Sequence, residues 1–141
     1  MKTLGSQRLL QLAVNRKPEL LSLALKKAGA IDRRESITWV SPLAQDNHAE
    51  YRDTAALRKL DIHRDDLKVP LSEFWPPRGA VWDGLGVTSK GKKIVLEAKA
   101  HIPEAASPGS KASPKSLVRI EKSLASTRRY MAPRSNAVWS S

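Results

Sequence analysis

Glu97, Lys99 and His101 fall at alternate positions along the run VLEAKAHIPE, Val95 to Glu104. Successive side chains of an extended chain point to opposite faces, so these three would project from one side of a strand end. With Asp83 beside Glu97 they would form an acidic pair next to a cation. Carboxylates of this kind suit Mg²⁺ or Mn²⁺, which take carboxylate, backbone carbonyl and water oxygens at about 2.1 Å. Such an ion polarises a phosphodiester and lowers the pKa of its water. Lys99 could then steady the attacking oxygen or the charge that develops on phosphorus. His101 has two readings, an approach to the scissile phosphate or a hydrogen-bonded structural imidazole.

Whether Asp83 meets Glu97 is decided by the turn between them. From Ala80 onward, AVWDGLGVTSKGKKIVLEAKAHI reads as a hairpin, two runs rich in Val, Ile and Trp flanking a polar turn. A three-residue loop, Ser89-Lys90-Gly91, would use Gly91 at the left-handed position such turns require. Thr88 then faces Lys92, Leu85 faces Val95 and Asp83 faces Glu97. A four-residue loop would shift the register by one and part the carboxylates. The uninterrupted apolarity of KIVL, ending at Glu97, predicts a central strand covered on both faces. A second acid-x-lysine triplet, Asp66-Leu67-Lys68, lies in a charged segment without such a strand and reads as a solvated turn.

The elements that must hold this hairpin are legible at their ends. Residues 6 to 29 predict two short helices, the second opened by Pro18, closed by Gly29 and carrying Lys26 and Lys27 near its C-terminal dipole. SITWVSPL, residues 36 to 43, predicts a short strand. An amphipathic helix should follow, capped by Asp46 or Asn47 and carrying Tyr51, Ala55, Leu57 and Leu60. Residues 61 to 79 read as loop with at most one short strand, because paired prolines deny donors and block helix. Residues 103 to 116 form a Pro, Ser, Ala and Gly-rich connector. Ser113 then caps a helix opened by Pro114, with Leu117, Ile120, Leu124 and Met131 on or near one face. The expected whole is an α/β fold: a helical segment over residues 1–35, then a domain over residues 36–141 with a small mixed β-sheet flanked by helices.

Net charge is +11, from 25 Lys and Arg against 14 Asp and Glu. Such an excess suits a polyanion, and nucleic acid is the commonest, since every phosphate contacted by Lys or Arg releases condensed counterions. Lys115, Arg119 and Lys122 lie on the last helix where they could track a phosphate backbone; a solvated amphipathic face is the plain alternative. Trp75 and Trp82 could stack on bases, or simply pack. With no cysteine and no apolar run near 20 residues, the chain is expected to be soluble and suited to the reducing cytoplasm. The basic, acid-free first 17 residues would equally fit a targeting segment, which is the lesser reading.

Asp83, thirteen intervening residues and then Glu97-x-Lys99 at the end of an apolar strand resembles the signature of the PD-(D/E)XK nuclease superfamily. More narrowly, FWPPRGAVWDGL joined to LEAKAHIPE is similar to a group of small, little-characterised bacterial proteins assigned to it. The likeness spans roughly Ser36 to Met131, with its sharp motifs within residues 74 to 104. It implies a restriction-endonuclease-like core, Asp83 and Glu97 as ligands of Mg²⁺ or Mn²⁺, the Ala98 carbonyl completing the shell and Lys99 as the catalytic lysine. It further implies a Glu from the preceding helix, for which Glu50 is the candidate, and hydrolysis of DNA, or less readily RNA, that leaves a 5′-phosphate.

Two departures accompany the likeness. Trp82 stands where the motif has proline, and the superfamily core adds a strand after its last helix where this chain has only SNAVWSS. On that resemblance the chain would be a fragment, a degraded copy, or one whose final strand is Ala137 to Trp139. A non-catalytic basic protein that grips nucleic acid on a truncated nuclease fold is the alternative function. A homodimer would suit the cutting of two strands, and no membrane contact is expected.

Overall fold

The computed structural model describes residues 5–100 and 110–139; His101 lies outside them. The chain begins with α1 (Ser6–Arg16) and α2 (Pro18–Lys27), with Pro18 in the first turn of α2 as expected. Gly29 follows in the left-handed region at φ +74°, which only glycine adopts without strain. Leu10 and Val14, one turn apart on α1, are buried against Trp39. Asn15 ties α1 to the chain beyond the first strand. Its Nδ2 donates to the Pro42 carbonyl and its Oδ1 accepts from the Ala44 amide, both at 2.7 Å.

Three strands follow: β1 (Ile37–Ser41), β2 (Gly84–Thr88) and β3 (Lys93–Leu96), ordered β1-β2-β3. Both pairings are antiparallel, so the sheet is not the mixed one expected. A tight turn can join only antiparallel neighbours. The long segment after β1 also re-enters at the end it left, where Ser41 pairs with Leu85, so no crossover is made.

The hairpin register is the one expected. Leu85 pairs with Val95, the Thr88 amide donates to the Lys92 carbonyl at 2.9 Å, and Gly91 takes φ +78°. The place of KIVL is not. Among the described residues β3 is an edge and β2 the centre, and Val95 keeps 47% of its surface exposed. Apolarity reports which residues tolerate burial, not how many strands lie alongside.

Each face of the sheet has its own core. One joins Leu10, Val14 and Trp39 to Ile94, Leu96 and Ala98; the other joins Leu85 to Ala56 and Leu60, with Trp82, Val40 and Val87 packed around them. The second face rests on α3 (Asp53–Lys59), which is shorter than the helix expected from Asp46. Asn47 and His48 both adopt left-handed backbone, at φ 51° and 57°, and end a 3₁₀ turn over Ala44–Asp46 instead of capping a helix. Tyr51 therefore lies in an extended bridge to Trp82 rather than on a helix.

Residues 61–79 contain no strand but a 3₁₀ turn, Arg64–Asp66, and a one-turn helix α4 (Leu71–Phe74). Asp66 and Lys68 are exposed there, as a solvated turn requires. The last helix, α5 (Pro114–Met131), is capped as expected, the Ser113 hydroxyl accepting from the Ser116 amide at 3.4 Å. Its buried residues are Ile120 and Ser123, whereas Met131 is exposed. Ser123 donates to the Phe74 carbonyl and Arg119 to that of Ser72, so α5 is held on α4. Ala137–Trp139 forms no strand. No helix among the described residues is long and apolar enough to cross a membrane.

Candidate functional site

Asp83 and Glu97 occupy the next position of the ladder beyond Gly84 and Leu96, the last regular pair. Counting from the hydrogen-bonded Thr88–Lys92 pair, that position belongs to the non-bonded set, where facing side chains come closest. The chain bends at Asp83, and the Trp82 amide turns away from β3 to donate to the Tyr51 carbonyl at 3.0 Å. The ladder acceptor for the Ala98 amide would be the Trp82 carbonyl, but the regular pairing of β2 with β3 stops at Gly84. Asp83 replaces that carbonyl: its Oδ2 accepts from Ala98 N at 2.7 Å, binding the carboxylate to the backbone between Glu97 and Lys99.

Side-chain alternation persists beyond the end of β3. Ala98 packs with Leu96 and Ile94 in the first core, so Glu97 and Lys99 belong to the opposite face with Val95 and Leu85. The Lys99 ammonium donates to Glu97 Oε1 at 2.6 Å, with 39% and 45% of the two side chains exposed. An ion pair this wet contributes little to stability. Asp83 is half-buried.

Glu50 precedes Tyr51, whose bridge to Trp82 runs antiparallel, so Glu50 lies on the Asp83 side of that bridge. Its Oε1 accepts from Gln7 Nε2 at 2.8 Å. The bridge itself is fixed by a small polar cluster. The Tyr51 hydroxyl and the Lys59 ammonium both donate to Asp46 Oδ2, at 2.8 and 2.5 Å, and Lys59 lies over the Tyr51 ring. The Lys59 hydrogen bond, then that of Tyr51, holds the Asp46 carboxyl below its usual range.

The donors are right in kind for a hard cation. Asp83, Glu97 and the Ala98 carbonyl offer oxygen only, and Mg²⁺ is commonly held by one or two carboxylates with water filling the remainder. No group of three or more His, Cys, Asp and Glu that could hold an ion occurs among the described residues. The fit is to a two-carboxylate, water-rich site rather than to a protein cage. Away from it, Lys115 and Lys122 are exposed on α5, whereas Arg119 is half-buried and partly engaged by α4.

The hairpin's sequence points to Asp83, Glu97 and Lys99 as candidates, but it does not point to Glu35. Glu35 is 1% exposed and accepts from the Asp32 amide at 2.8 Å, the Thr88 hydroxyl at 2.8 Å and the Lys92 ammonium at 3.0 Å. The Asp32 amide first, then Lys92, draws its pKa down from 4.5 to about 2 against the cost of burial. It locks the turn that sets the hairpin register. Only the local Asp32-x-x-Glu35 spacing hinted at it, since Thr88 and Lys92 are remote in sequence.

No family model, curated protein or solved structure matches the chain. What speaks for a function is the chain's own residues and their placement.

Proposed function

We propose that the chain is a metal-dependent phosphodiester hydrolase of the PD-(D/E)XK type acting on DNA. Asp83, Glu97 and the Ala98 carbonyl would hold Mg²⁺ or Mn²⁺, and Lys99 would face the phosphate under attack. The observation that carries this reading is the Asp83 Oδ2 to Ala98 N bond at 2.7 Å, which draws one carboxylate onto the backbone between the other carboxylate and the lysine.

A divalent ion bound there would supply Lewis acidity to the phosphodiester and acidify a water. The Lys99 ammonium, steadied by Glu97, would orient the attacking water and offset negative charge gathering on phosphorus. The water oxygen joins phosphorus as the bond to the 3′ oxygen breaks in line. The attacking water gives up a proton to solvent and the departing 3′ oxygen takes one up, so the products are a 5′-phosphate and a 3′-hydroxyl. Lys115, Arg119 and Lys122 would retain the strand by charge, with salt sensitivity to match.

The test is nicking of supercoiled plasmid in Mg²⁺ and its loss in EDTA. Lys99→Ala should slow nicking by about 10²- to 10³-fold, the scale of losing one group aimed at transition-state charge. A second reading is favoured by a specific observation: each of the three carboxylates, Asp83, Glu97 and Glu50, already accepts from a donor of this chain. On that reading the protein binds nucleic acid by charge without cutting it. Salt-sensitive retention of DNA with no Mg²⁺-dependent nicking would establish it in place of the first.

A further inference from the structure

On the sheet face that carries Asp83 and Glu97, an aromatic cleft of about 370 Å³ opens between α3, α4 and the hairpin. Its floor is Leu85 and Val95, and Phe74, Trp75 and Trp82 stand among its walls. Among the described residues, the charged side chains lining it are Asp53 and Lys93. Asp53 is spent internally, accepting from the amides of Arg78 and Gly79 at 3.1 Å each, which leaves the exposed Lys93 as the ionic group at the rim. Phe74 and Val95 remain 37% and 47% exposed, so the cleft offers apolar surface to water.

Two relationships say what would cover it. Leu85 and Val95 are paired across the hairpin, and Asp83 and Glu97 lie two residues further along the same face, about 7 Å at the rise of a β-strand. A flat ring in the cleft would thus have its own backbone near the acidic pair. A second hollow shares Leu57, Ile62 and Leu71 with the cleft and is bordered by Arg58, His63 and Arg64. The apolar cleft therefore lies on the sheet face of the proposed phosphodiester site, with Lys93 at its rim and Arg58 and Arg64 near by, although Asp61, Asp65 and Asp66 share the Arg64 segment. A chain of aromatic rings joined by phosphates would offer a ring to the cleft and a phosphate to the acidic pair about two strand residues away.

We infer that the cleft takes an unpaired nucleobase, so that the preferred substrate is single-stranded or locally unpaired DNA. The choice of ligand rests on the hydrolase reading above. A paired base keeps its faces stacked within the duplex; only an extruded one can offer them to Phe74, Trp75 or Trp82. Lys93, Arg58 and Arg64 then meet neighbouring phosphates.

Binding is measured by fluorescence anisotropy with labelled oligothymidine and a duplex of equal length, in EDTA so that no cleavage occurs. The single strand should bind about tenfold tighter than the duplex. Phe74→Ala, which removes a wall, and Val95→Trp, which fills the floor without deleting a contact, should each reduce single-strand affinity by about tenfold, the scale of one base stack. Duplex affinity and thermal midpoint should stay put. Equal binding of both forms, or undiminished single-strand affinity in a folded Val95→Trp, overturns the inference. Cleft-dependent binding without any nicking by the unaltered chain would uphold the cleft and refute the hydrolase.

Discussion

The Asp83 carboxylate accepts the Ala98 amide at 2.7 Å, standing in for the backbone carbonyl that a regular ladder would have supplied. One side chain thus ends the hairpin and, on the proposed reading, would also hold the metal with Glu97. The two tasks separate by substitution. Asp83→Asn keeps an acceptor for Ala98 and should change the thermal midpoint little. Asp83→Ala leaves that half-buried amide unpaired and should cost about 1–3 kcal/mol. Both should abolish Mg²⁺-dependent nicking, read on plasmid beside thermal melts.

Glu35 makes the fold sensitive to acid. Its folded-state pKa lies below the ordinary 4.5, at about 2, so its ionised form favours the native chain. That contribution is fully present above 4.5 and fades as the pH falls through about 2. In Glu35→Gln the thermal midpoint should be lower at neutral pH and should fall less across that interval, as followed by circular dichroism.

Lys115 and Lys122 are exposed on α5 and should act through phosphate alone. Replacing both with Ala should flatten the slope of log affinity for DNA against log salt by about 2, or slightly less, the value for two released counterions. Thermal stability should be unaffected, and the drop in affinity should be uniform across DNA sequences. Filter binding at several salt concentrations measures this.

Gly79 is required by close approach. A Cβ there would lie 2.9 Å from Asp53 Oδ1 and 3.1 Å from Trp75 Cδ1. Gly79→Ala should push the cleft wall outward and cost about 1–3 kcal/mol, as overpacking does. Urea unfolding would register it as a lower midpoint at unchanged slope.

Features encoded over a few residues were readable from sequence: the Gly91 turn with its register, the Ser113 and Pro114 start of α5, and the stop at Gly29. What depended on distant partners was not. The long helix expected from Asp46 failed because Asn47 and His48 turn left-handed, so Tyr51 is free to bridge Trp82. KIVL resembled a central strand because its composition carries no count of neighbours. Asp83, Glu97 and Lys99 came from local geometry and could be named in advance. Phe74, Arg58 and Arg64 belong to the cleft and its flank only because α3 and α4 fold over the hairpin, which no short window of sequence records.

The order β1-β2-β3 also carries a timetable. β2 and β3 are separated by a three-residue turn and can pair within microseconds, whereas β1 must wait for everything between Ser41 and Gly84 to be drawn in. Asp83, Glu97 and Lys99 are therefore set by the earliest contacts the sheet can make, while the walls built from α3 and α4 arrive with the slower ones. Changes in that intervening segment should reshape what the protein holds before they disturb how its acidic residues meet.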